Sequence, residues 1–98
     1  MSTYDYIKYP EDRLYLRVGE LIRQLMYSAS KVGNLEAYGY LSTIQNNVSI
    51  RNKPESQDIK KIEKHLTSPE FLNQKCFRDL DRENMRPIIR EYKLNMLV

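Results

Sequence analysis

The sequence predicts an all-α fold: a small single-domain bundle of four to five helices, with a long N-terminal helical hairpin and shorter C-terminal helices packed across it. Apolar residues recur every three or four positions, the helical period, in residues 14–32 and again in 35–48. Only Gly33 and Asn34 separate the two patterns, and so short a connection favours antiparallel helices. The one alternating stretch, residues 48–50, has no second strand to pair with.

The first helix is predicted to begin at Pro10 and to end before Gly33. Proline suits the first helical position, and glycine can adopt the left-handed conformation that ends a helix. The residues expected to face the core follow a four-three spacing: Leu14, Val18, Leu21, Leu25, Ser28 and Val32. The second helix repeats this pattern through Ala37, Leu41, Ile44 and Val48.

Residues 46–57 are predicted to form an internal loop, because asparagines, Pro54 and charged residues dominate them. Ser56 is then expected to cap a short third helix. The inner face of that helix would carry Ile59, Ile62 and Leu66. Residues 1–9 are expected to form an aromatic N-terminal arm.

Two more helices are predicted towards the C-terminus. Residues 66–71 contain capping signals, with either Thr67 or Ser68 as the cap of a fourth helix. A last helix is expected to start near Arg86, because Pro87 cannot lie deep inside a helix without a kink. The apolar side of the fourth helix would consist of Leu72, Cys76 and Leu80.

Composition bounds the class of protein. A chain of 98 residues is the size of one domain, and 41% hydrophobic with 30% charged residues is typical of a globular protein. The sequence has no apolar run near 18 residues and no charged-then-apolar leader, so we expect neither a membrane association nor export. Cys76 is the only cysteine, which suits a reducing, cytoplasmic location.

Few residues could support catalysis. His65 and Cys76 are the only histidine and cysteine, too few for a metal site, and a distant Cys–His pair is rarer than structural use of both. Three scattered glycines do not make a phosphate-binding loop. The carboxylates Asp79, Asp81 and Glu83 alternate with arginines, which is typical of a solvated, salt-bridged surface. We therefore expect no enzyme, no cofactor, no metal and no small-molecule substrate.

Basic residues form the first candidate site. The net charge of +3 arises in residues 51–98, which hold eleven basic and eight acidic side chains. Six cations would form one stripe on a continuous helix: Lys75, Arg78, Arg82, Arg86, Arg90 and Lys93. A solvated face, a nucleic-acid surface and a surface for an acidic protein all remain compatible with this pattern.

Tyrosines form the second candidate site, because seven of the eight lie in residues 1–40. Tyrosine suits both the edge of a small core and a contact surface for another chain. The residues proposed for such an interface are Tyr4, Tyr6, Tyr9, Tyr15 and Tyr27.

Two functions follow as expectations. The first is a small non-catalytic protein–protein interaction module, an adaptor, regulator or inhibitor, with a homodimer through the apolar seam of the first helix as one form. The alternative is a nucleic-acid-binding accessory or regulatory protein that uses the basic C-terminal surface.

Overall fold

A computed structural model describes residues 10–48 and 55–96. Four α-helices run in chain order as α1 (Pro10–Lys31), α2 (Leu35–Asn47), α3 (Ser56–Leu66) and α4 (Asp79–Met96). A 3₁₀ turn, Phe71–Asn73, lies between α3 and α4, and the described ranges contain no strand. The predicted all-α bundle is confirmed. The proposed arm, residues 1–9, lies outside the described residues.

Helix α1 is the centre of the bundle, because it packs against each of the other three helices. Its predicted seam is buried from Leu14 to Ser28, and Ile22 and Ala29 beside the seam are fully buried. Val32, the last predicted position, is half-buried. The chain's own helices thus occupy this seam, so it is not free to form the homodimer expected through it.

The turn between α1 and α2 is built as the sequence predicts. Gly33 has a φ of 72°, in the left-handed region. Its N–H donates to the Ser30 carbonyl at 3.0 Å, and the Asn34 N–H donates to the Ala29 carbonyl at 2.9 Å, the pair of bonds that closes a Schellman motif. The Asn34 Oδ1 then accepts the Ala37 N–H at 3.1 Å and caps α2.

Helices α2 and α3 both extend into the range predicted as an internal loop, residues 46–57, of which 49–54 lie outside the described residues. Helix α2 continues to Asn47, and Ser56 is the first residue of α3, with Glu55 at the cap position and no side-chain capping bond. The predicted inner face of α3 is confirmed at Ile59 and Leu66, which are buried, whereas Ile62 is half-buried.

The predicted fourth helix after Leu66 is wrong. Thr67 ends α3 rather than starting a helix, and its hydroxyl donates to the Glu63 carbonyl at 2.9 Å. Phe71 and Phe77 are both buried, with ring centroids 4.9 Å apart. On an α-helix six residues would place them about 240° apart around the axis. Because the segment between α3 and α4 is not an α-helix, both rings can pack in one cluster.

The predicted helix start near Arg86 is also wrong, because α4 runs through Pro87 without interruption. Met85, Ile89 and Tyr92 are buried on either side of the proline at four-three spacing, so one helical register serves both halves. Pro87 itself is exposed. Water can therefore bond the Glu83 carbonyl, which loses its helical donor to the proline ring.

Candidate interaction surfaces

Helix α4 separates two surface grooves. Its buried seam consists of Asp81, Met85, Ile89 and Tyr92. Since each helical residue turns the chain by about 100°, positions one residue earlier lie on one flank of this seam and positions one residue later lie on the other. Leu80, Asn84 and Ile88 occupy the first flank and face α1, whereas Arg86, Arg90 and Lys93 occupy the second.

The first groove, called the α1–α4 groove, has a volume of about 900 Å³. Two of its apolar side chains are largely accessible, Tyr27 at 71% and Leu80 at 52% exposure. Val32 and Ile88 are half-buried in the same groove. Its lining consists of Glu20, Arg23, Gln24, Tyr27, Ser28, Lys31, Val32, Leu80, Asn84 and Ile88.

The second groove, called the basic groove, has a volume of about 720 Å³ and lies between α4 and the segment that follows α3. No aspartate or glutamate is among its lining residues within the described ranges. Its lining consists of Thr67, Ser68, Pro69, Leu72, Asn73, Arg86, Ile89, Arg90, Lys93 and Leu94.

The six predicted cations divide into two groups. Lys75 and Arg78 precede α4, and the other four lie on it. Arg78 donates to the Val32 carbonyl at 3.3 Å and lies 3.5 Å from the Asp81 carboxylate. Arg82 has two partners of its own. Its Nε donates to the Leu72 carbonyl at 2.7 Å, and its Nη1 lies 2.9 Å from the exposed Asp79 Oδ1.

Four of the six cations remain without such partners. Lys75, Arg86, Arg90 and Lys93 form no hydrogen bond or ion pair with another residue in the ranges 10–48 and 55–96, and the last three line the basic groove. The predicted stripe therefore consists of a structural part at Arg78 and Arg82 and an unengaged part at Lys75 and the basic groove.

The tyrosines proposed as an interface also divide. Tyr15 is half-buried and packs against the core, as the alternative interpretation expected. Tyr27 projects into the α1–α4 groove. Tyr4, Tyr6 and Tyr9 lie outside the described residues.

A partly buried polar cluster that the sequence did not predict joins α1, α3 and α4. The Arg17 Nη2 donates to Glu63 Oε2 at 2.9 Å, and the Tyr92 hydroxyl also donates to this oxygen. The Arg17 Nε donates to the Tyr92 Oη at 3.1 Å. Burial, together with the bond to Glu63, raises the pKa of Tyr92 above its usual range. The cluster locks three helices together and leaves little of Glu63 accessible.

A second polar cluster corrects the expectation that Asp81 lies on a solvated surface. Asp81 is fully buried, and its Oδ2 accepts the Asn34 Nδ2 at 2.6 Å and the Arg78 N–H at 2.8 Å. The Asn34 Nδ2 also donates to the Cys76 carbonyl at 2.8 Å. The other oxygen, Asp81 Oδ1, has no hydrogen-bond partner among the described residues. The spacing of Asp81, Met85 and Ile89 at intervals of four is the sequence signal that could have placed Asp81 on the buried seam.

The residues with catalytic potential are engaged in packing. The Tyr40 hydroxyl lies 2.7 Å from His65 Nε2, and both rings pack against Phe71. Burial raises the pKa of the half-buried Cys76 thiol, which disfavours the reactive thiolate. Residues 10–48 and 55–96 contain no group of three or more histidine, cysteine or carboxylate side chains that could hold a metal ion.

None of the helices in the described ranges is long and apolar enough to span a bilayer. Comparison of the chain with protein-family models, with curated proteins and with solved structures returns no match. Its function is therefore inferred from its own residues.

Proposed function

We propose that this chain is a non-catalytic protein-interaction module that binds another protein chain through the α1–α4 groove. One observation carries the proposal: Tyr27 and Leu80 are both more than half exposed and line the same groove, beside Val32 and Ile88. Contiguous exposed apolar side chains mark interaction sites more specifically than scattered ones do.

The side chains in this groove suit a protein contact. Tyrosine offers a large apolar ring with a polar tip and is enriched at protein interfaces. Complete burial of an exposed leucine side chain contributes about 1.5–3 kcal/mol, so a partner that covers the exposed half of Leu80 would contribute about half of this. Tyr27 and Leu80 together could therefore supply the central contacts of a modest interface.

A second copy of the chain is the first partner to test. Glu20 and Lys31 both line the α1–α4 groove and are separated by about 16 Å along α1. In a twofold-symmetric pair with antiparallel α1 helices, Glu20 of each copy would face Lys31 of the other. This pairing uses the outer flank of α1 and leaves its buried seam intact.

A non-catalytic role is supported by the use of His65 and Cys76 in packing. The nucleic-acid alternative retains four unengaged cations out of the six from which it was inferred, and three of them lie together at the basic groove. Three neighbouring cations provide a small electrostatic footprint, since each phosphate contact contributes separately to affinity.

The experiment compares Tyr27→Ser and Leu80→Ser with a matched control, Leu35→Ser. Leu35 is 80% exposed and lines neither groove, so its replacement removes an apolar side chain elsewhere. Size-exclusion chromatography with light scattering, over a hundredfold range of concentration, should show a dimer that the two groove variants weaken and the control variant does not.

If the wild-type chain stays monomeric, a photo-crosslinking amino acid at position 27, with position 35 as the control, tests for a different protein partner in cells. Groove variants that match the Leu35→Ser control in light scattering, together with no more crosslinking from position 27 than from position 35, would refute the proposed role of the α1–α4 groove.

A further inference from the structure

We propose that the basic groove binds an acidic amphipathic segment of a partner protein. The carboxylates of that segment would face Arg86, Arg90 and Lys93, and an apolar side chain would enter between Leu72 and Leu94. The inference rests on the proposed function only in taking a protein as the partner, because it concerns a different surface and specifies what binds there.

The charge of the basic groove favours an acidic ligand. Arg86, Arg90 and Lys93 line the groove without an ion pair or hydrogen bond to any other described residue, and no carboxylate of residues 10–48 and 55–96 lines the groove with them. Arg17 and Arg82, by contrast, each have a carboxylate partner at 2.9 Å. The described lining of the groove therefore carries a net positive charge, which is complementary to an acidic ligand.

Apolar side chains in the basic groove distinguish a peptide from a nucleic acid as its ligand. Leu94 is 58% exposed, Leu72 is half-buried and Pro69 is exposed, and all three line the groove beside the cations. A phosphate backbone needs only cations and polar donors. An amphipathic peptide uses both kinds of contact, with an apolar anchor in the groove and charges at its rim.

The spacing of the three cations matches that of carboxylates on a helical ligand. The three cations follow intervals of four and three residues on one continuous helix and span about 10 Å along its axis. Carboxylates at intervals of four and three on a partner helix have the same separations, so each can face one cation when the helices lie side by side. The groove volume of about 720 Å³ accommodates the apolar anchor between them.

The test selects peptides from a displayed library of random 14-residue sequences against the wild-type chain. A triple variant, Arg86→Gln with Arg90→Gln and Lys93→Gln, is compared with the wild type for binding of the selected peptides and is not used in the selection. The matched control, Lys60→Gln with Lys61→Gln and Lys64→Gln, removes the same charge from exposed positions of α3. Circular dichroism melts confirm that each variant folds.

We expect the selected peptides to combine aspartate or glutamate with leucine, isoleucine or phenylalanine. In fluorescence anisotropy, the groove variant should weaken a selected peptide at least about tenfold, because three exposed ion pairs are lost together. The α3 control should change the affinity less than about twofold at 150 mM salt. Leu94→Ser should also weaken the peptide, because it removes the apolar contact.

Three results would overturn the inference: no enrichment of acidic and apolar residues, selected peptides that bind the groove variant as well as the wild type, or peptide binding that Leu94→Ser leaves unchanged. A fluorescent DNA duplex and a single-stranded RNA form the nucleic-acid arm. Tighter binding of either, lost in the groove variant but unaffected by Leu94→Ser, would assign the surface to phosphates instead.

The two proposals fail separately. Tyr27→Ser should leave binding of the selected peptide intact, because Tyr27 lines the α1–α4 groove and not the basic groove. Loss of one activity without the other shows which surface has been assigned wrongly.

Discussion

Replacement of Asn34 should destabilise the fold far more than its position in a two-residue turn suggests. Its Oδ1 caps α2 through the Ala37 N–H, and its Nδ2 bridges the Asp81 carboxylate and the Cys76 carbonyl. One side chain therefore connects the end of the α1–α2 hairpin to the start of α4. Asn34→Ala removes all three bonds at once.

The structure gives the expected size of the effect. Loss of the cap costs about 1 kcal/mol. Loss of a hydrogen bond to a charged group that stays buried costs about 2 kcal/mol more, because Asp81 has no access to water. A total of about 3 kcal/mol lowers the melting temperature of a domain this size by roughly 12–24 °C. Urea denaturation followed by circular dichroism at 222 nm measures the change directly.

A second variant separates the cap from the bridge. Asn34→Asp keeps an acceptor for the Ala37 N–H but places a second carboxylate where the 2.6 Å bond to Asp81 was. We expect it to be less stable than Asn34→Ala at pH 7, and to recover part of the deficit near pH 4, where a protonated carboxyl group can donate again. Asn84→Ala, at an exposed asparagine of α4, should change stability by no more than about 0.5 kcal/mol. If Asn34→Asp equals or exceeds Asn34→Ala in stability at pH 7, the bridge to Asp81 does not contribute as argued.

Two further predictions concern stability. Gly39→Ala should raise the free energy of unfolding by about 1 kcal/mol, because Gly39 lies inside α2 and an added Cβ would meet no atom within 4 Å; a loss of stability in urea denaturation would contradict this. The wild-type chain should lose stability as the pH rises above about 10, because the raised pKa of Tyr92 lets the unfolded chain release a proton that the folded chain retains. Tyr92→Phe should flatten this decline without abolishing it, since burial also raises the pKa values of Tyr40 and Cys76. If stability falls with pH as steeply in Tyr92→Phe as in the wild type between pH 9 and 11, Tyr92 ionises equally in the folded and unfolded states.

Helices α1 and α2 could be predicted from the sequence because apolar residues recur along them with the helical period. The seam of α1 and the pattern from Ala37 to Val48 each follow the helical period, and both were found at the core except for Val32 and Ile44, which are half-buried. Local signals failed where tertiary packing opposed them. No helix forms at the capping motif near Thr67, because Phe71 and Phe77 are buried in one cluster instead. Helix α4 continues through Pro87, because a continuous helix keeps Met85 and Ile89 on the same buried face.

The surfaces were predictable only in part. Composition indicated cations and tyrosines, but not which of them the fold would engage. Arg78 and Arg82 donate hydrogen bonds to carbonyls 46 and 10 residues away. Arg86, Arg90 and Lys93 on α4 have no such partners among the described residues and stay accessible. The cluster of Arg17, Glu63 and Tyr92 joins side chains 46 and 75 residues apart, and no periodic pattern encodes such distances.

The central position of α1 has a consequence for the order of folding. The contacts between α1 and α2 join neighbouring segments, whereas α3 and α4 reach α1 only by closing longer loops. We therefore expect the α1–α2 hairpin to form in the transition state, with α3 and α4 docking later onto α1. In that order Leu41→Ala would slow folding, and Ile89→Ala would mainly accelerate unfolding. Stopped-flow kinetics that show the reverse would mean that α4 nucleates the fold.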